Sequence, residues 1–206
     1  MKTFKNISTK TLFYIEEYGP NTSVYKKIVK ESLKILIFAA IMTSIGGLFI
    51  EKIKVLMFSV IPMIILLPSL NTMIGDFGII CATKISSYLH EGKVKKHWWR
   101  SKSLIKLYIQ VFIISMFTAF VSALIALLIT SARYEIDRLY AYKIFAVAIL
   151  DVFILINLIF FTSIIAGFHY YKKREDPNNF LIPITTSIAD FGNMAVLSAL
   201  LIIFFK

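Results

Sequence analysis

The chain has 206 residues, of which 58% are hydrophobic, and a formal net charge of +11; its mean hydropathy is +0.76. A soluble domain carries about 45–50% apolar residues, and here the excess falls in blocks of roughly 20 residues or more, the length that crosses a bilayer. A water-soluble globular enzyme is thereby excluded, and the single cysteine, Cys81, excludes both an intrachain disulfide and a cysteine-rich metal centre.

Residues 1–30 are polar and mixed in charge, and no short apolar core follows the first lysines as it would in a signal peptide. They are expected to form a cytoplasmic N-terminal segment ahead of one transmembrane unit, 31–206. The fold class expected is all-α and integral to the membrane, with five transmembrane helices. The spans predicted are 31–50, 54–90, 104–131, 140–171 and 177–205.

Loop charges orient these spans. With the N-terminus inside, the inner segments 1–34, 84–106 and 172–174 hold 17 Lys and Arg, and the outer ones hold six. Positive residues concentrate on the cytoplasmic side, so the N-terminus is expected inside and the C-terminus outside. The same rule explains the net charge without nucleic acid. In "EGKVKKHWWRSK", Trp98 and Trp99 are expected at the headgroup level among cations that meet anionic lipid. His90 and His97 are expected to be interfacial side chains rather than ligands.

Two acids stand inside the apolar runs, and their surroundings echo each other. "NTMIGDFG" (71–78) aligns with "TTSIADFG" (185–192), identical at five of eight positions. Asp76 lies 14 residues before His90, and Asp190 lies 14 residues after Asp176. That is about 21 Å along each helix, so the two carboxylates are expected at similar depth on antiparallel helices. Repeats that carry polar groups near the midplane are a recurrent transporter design.

Each acid has polar company. Asn179, Pro183, Thr186, Asp190 and Asn193 form one helical stripe, and Ser69, Thr72, Asp76, Thr83, Ser87 and His90 follow a similar course, interrupted by apolar Ile79 and Ile80. Pro68 and Pro183 each free a backbone carbonyl four residues back. Carboxylates, hydroxyls and freed carbonyls are hard oxygen donors, which suit Mg²⁺ or Ca²⁺ rather than soft metals. A carboxylate at the centre of a membrane helix costs at least about 2.5 kcal/mol, so two in matching contexts point to a site that a cation neutralises. The candidate metal-binding residues are Asp76, Asp190, Thr72, Thr186, Asn179 and Asn193. Asp151, in "AVAILDVFILINL", is expected to hydrogen-bond a neighbouring helix. Asp176 is expected to cap the fifth helix, with Pro177 in its first turn.

These residues resemble the MgtE-type magnesium transporters, and most closely the branch formed by solute carrier family forty-one. Pro68, Gly75, Ala82, Lys84, Ser86 and Gly92 match that family's pattern in the second span. Asp176, Pro177, Asn179, Pro183, Asp190 and Gly192 match its signature in the fifth. The resemblance implies that Asp190 is the pore carboxylate, that spans two and five line the path, and that two copies form a homodimer around one pore. Asp76 departs from the family, which usually has Asn there, and makes this path more acidic. Some 30 residues stand where bacterial members carry large regulatory domains.

The expected function is a Mg²⁺-favouring divalent cation channel or transporter of the cell membrane. It is not an enzyme, and its partners are lipid and a second copy, with no nucleic acid or protein substrate. A transported divalent ion moving inward gains about 4.6 kcal/mol per 100 mV, and no phosphate-binding Gly-Lys-Ser/Thr loop is present. Two alternatives compete: an intramembrane aspartyl protease built on Asp76 and Asp190, and a non-catalytic membrane scaffold. The protease lacks the Gly-x-Gly-Asp spacing, because Met73 stands where the first Gly is needed.

Overall fold

The computed structural model describes residues 24–94 and 101–206. Most of the N-terminal segment lies outside the described residues, as do His97, Trp98 and Trp99. Among the described residues every element is a helix. They are α1 (Val24–Ser59), α2 (Ile61–His90), α3 (Lys102–Ser131), α4 (Arg138–Lys172) and α5 (Pro177–Phe205). All five are long and apolar enough to span a membrane, and the protein is a multi-pass membrane protein.

Backbone chemistry sets the breaks. The predicted boundary between spans one and two, near residue 51, is corrected: "EKIK" continues α1 and the helix runs to Ser59. Lys54 bonds Glu51 at 2.9 Å one turn back, which suits a helix surface. The stop comes at Val60, with Pro62 in the first turn of α2, where the missing N–H is harmless. Gly92 ends α2 at a φ of +66°. There Lys93 N–H reaches the Tyr88 carbonyl and Gly92 N–H the Leu89 carbonyl, the paired closure that a left-handed residue permits. Arg174 closes α4 in the same way at a φ of +60°. Beside the first of these turns, Glu91 and Lys93 pair at 2.7 Å, and that bond and charge hold the Lys93 ammonium above its ordinary pKa. Asp176 then caps α5 as expected, accepting from Asn178 N at 3.0 Å, with Pro177 as the first helical residue.

α5 is the centre of the bundle, packed against α1, α2 and α4, while α3 rests on α2 and α4. α1 leans almost wholly on α5 and barely touches α2. Small residues permit these approaches, as is usual between membrane helices. A Cβ on Gly46 would lie 3.2 Å from the Phe191 backbone and 3.0 Å from Met194 Sδ, so Gly46 lets α1 close on α5 next to Asp190. Gly47, one residue on, faces open space. Gly46→Leu should therefore lower stability by about 1–3 kcal/mol, the usual cost of overpacking. Gly47→Leu should leave the thermal midpoint unchanged, and paired melts in detergent check both.

Candidate cation site between α2 and α5

Pro68 and Pro183 lie inside α2 and α5, and the site is built between them. Asp190 is half-buried on α5. Its Oδ1 accepts from Asn71 Nδ2 of α2 at 2.7 Å, the short distance of a bond to a charged acceptor. Asn193 lies about one turn further along α5 and is fully buried. Its Nδ2 donates to Asn71 Oδ1 at 3.1 Å and approaches the Leu67 carbonyl at 3.5 Å. Asn71 is thus held from one side and holds Asp190 from the other. Thr43 of α1 points its hydroxyl at Asp190 Oδ2 at 3.5 Å, the outer limit of a hydrogen bond. The second oxygen of Asp190 is consequently the less committed one.

These contacts fix the register of the two antiparallel helices. Asn71 stands opposite Asp190, and a Cβ on Gly78 would lie 3.1 Å from Thr185 Cβ. Asp76 is then level with Thr186, and Thr72 with Asp190. The expected common depth is corrected: the two acids are offset by about one turn, roughly 6 Å along the axes. Counting from the helix ends failed because α2 and α5 are not paired end to end. The offset creates two layers, each with one carboxylate level and one threonine level.

The faces also differ. Pro68, Thr72, Asp76 and Lys84 are exposed along α2, together with Ile64 and Ile80, at steps of four. Asp76 therefore lies on the open side of α2, while Asp190 sits at the α2–α5 seam. No hydrogen bond or ion pair from a described residue reaches Asp76. Thr186 is half-buried and donates to the carbonyls of Ile182 and Pro183 in its own helix, so its lone pairs remain as acceptors toward a cation. Asn179 is half-buried near the start of α5, about 16 Å along the helix from Asp190, and does not join the Asp190 cluster. His90, expected at the interface, is buried; its Nδ1 is 2.8 Å from the Ser86 carbonyl and its ring meets Tyr171 edge-on.

Sequence reasoning missed Asn71 and Thr43. Asn71 had a legible signal, because it lies three residues after Pro68, the same step that separates Asp190 from Asn193. Thr43 had only its place three residues before Gly46.

The sequence model of the MgtE family, described as divalent cation transporters, matches residues 67–200. The chain belongs to the MgtE family. The match begins at Leu67, beside the Pro68 turn, and takes in both acids, Asn71, Thr72, Thr186 and Asn193. MgtE proteins are transporters rather than enzymes, and divalent cation transport is this chain's function at that level. A search of curated proteins gave no match to this MgtE chain, and neither did a search of solved structures.

Proposed function

We propose that this MgtE protein conducts divalent cations, Mg²⁺ foremost, across the cell membrane through a path between two copies of the chain. The N-terminus is cytoplasmic in this reading and the C-terminus external. The observation that carries the proposal is the placement of Asp76. It is exposed on a membrane-spanning helix with no partner from a described residue, an arrangement too costly to face lipid. Water, a cation or a second copy must cover it.

Within one chain, among the described residues, no group of three His, Cys, Asp or Glu side chains gathers. Two copies joined along the open face of α2 would bring four carboxylates to one axis, in the two layers described above. Asp190 and Asp76 carry the charge, and Thr72 and Thr186 add neutral oxygens. Asn71 and Asn193 orient Asp190 rather than bind the ion. Mg²⁺ gives up its water reluctantly, and hydroxyl and carboxylate oxygens can hold it through that water.

Oxidative cross-linking tests the geometry. In a Cys81→Ser background, Thr72→Cys should form a disulfide between copies, whereas Ile113→Cys on the exposed face of α3 should not. Cross-linking at both positions or at neither would remove the dimer axis from α2.

A further inference from the structure

Asp151 lies near the middle of α4 and is completely buried. The expected bond to a neighbouring helix is absent: neither carboxylate oxygen has a hydrogen-bond partner among the described residues. Val147, Ala148, Val152 and Leu155 surround it along α4, all fully buried. Leu155, one turn on and on the same face, touches the position where Gly192 would carry a Cβ, at 2.6 Å. Asp151 therefore faces the bundle on the side of α5.

Among the described residues no cation pairs with it. On α3, the ring pairs Phe120–Phe145 and Phe112–Phe153 set Asp151 near the level of Ser115, whose hydroxyl is spent on the Phe112 carbonyl at 2.9 Å. The nearest titratable group on α3 is Tyr108, which donates to Asn157 Oδ1 at 2.8 Å. α2 carries Asp76 on its open face, with Cys81, Lys84, Tyr88 and His90 further along, and α5 carries Asp190. On α4 itself, Lys143 holds its ammonium 5.4 Å from the Phe205 ring centre. A bare carboxylate enclosed by hydrocarbon is strongly disfavoured, and a divalent ion would need several further oxygens, whereas the α4 neighbours Val147, Ala148, Val152 and Leu155 are apolar.

We propose that Asp151 is an internal proton-binding site, holding a neutral carboxylic acid in the closed bundle and separate from the metal path. The ligand is a proton, bound to one carboxylate oxygen. Through Leu155 and Gly192 the site adjoins the segment of α5 that carries Asp190.

Infrared spectroscopy of purified protein labelled with carboxyl-¹³C aspartate tests this without any transport assay. At neutral pH an isotope-shifted band from a protonated aspartic acid is expected. It should vanish in Asp151→Asn, persist in Asp190→Asn and Asp76→Asn, and persist in millimolar Mg²⁺. Absence of the band in the unmutated protein overturns the proposal even if Asp151→Asn does not fold. So does loss of the band in Asp190→Asn or Asp76→Asn, or its conversion to a carboxylate band by Mg²⁺. The experiment does not depend on the cation path, so its failure would leave the transport proposal standing.

Discussion

Asp190→Asn is expected to reduce divalent cation flux into proteoliposomes by on the order of a hundredfold or more, with little change in folding. The side chain keeps its shape, but the site loses a charge and an anionic oxygen. Changing a residue that merely supports a metal ligand already costs about 10–100-fold, so removing the ligand charge should cost at least the upper end of that range. Asn71 Nδ2 would face an amide oxygen or nitrogen in place of a carboxylate, which weakens the bond without creating a cavity. Mg²⁺ entry followed by an internal fluorescent indicator checks the effect. Flux within twofold of the unmutated protein would show that Asp190 is not on the path.

Asn71→Leu is expected to have the next largest effect, through position rather than charge. It removes the donor to Asp190 Oδ1 and the acceptor for Asn193 Nδ2 together. A hydrogen bond to a charged group contributes about 1.5–3 kcal/mol, and fully buried Asn193 would keep only the 3.5 Å approach of its Nδ2 to the Leu67 carbonyl. Stability should therefore fall by about 2–3 kcal/mol. The affinity for the transported ion should fall about 10–100-fold, as for other supporting residues. Thermal unfolding reads the first effect. The concentration dependence of flux reads the second, since a loss through Asp190 orientation raises the half-saturating concentration more than a general loosening would.

Much of this was legible in the sequence because the bilayer demands long apolar runs, and those runs are visible by length alone. The break between α1 and α2 was not legible from charge. Lys52 and Lys54 look like a loop, yet a helix carries such residues on its surface, and the chain turns only where Pro62 and Val60 end the hydrogen-bond ladder. Asp76 and Asp190 stand out because acids are rare in hydrocarbon, and their company of Thr72 and Thr186 follows from helical spacing. Their relative height did not follow, since it depends on where Gly78 meets Thr185 rather than on distance from the helix ends. Asn71 was hidden for a related reason. Its role comes from a partner 119 residues away, and no local periodicity announces a contact of that kind. Asp151 shows the limit from the other side: its type and place were plain, but only the packing reveals that no neighbour answers it.

The most direct test of the cation path is a pair of density maps of the purified protein, one in millimolar Mg²⁺ or Mn²⁺ and one in chelator. Ion density is expected on the axis between two copies, beside Asp190 and within one helical turn of Asp76, and it should disappear with chelation. Maps in which both acids face lipid or remain sealed within one chain, with no ion and no water between them, would contradict it.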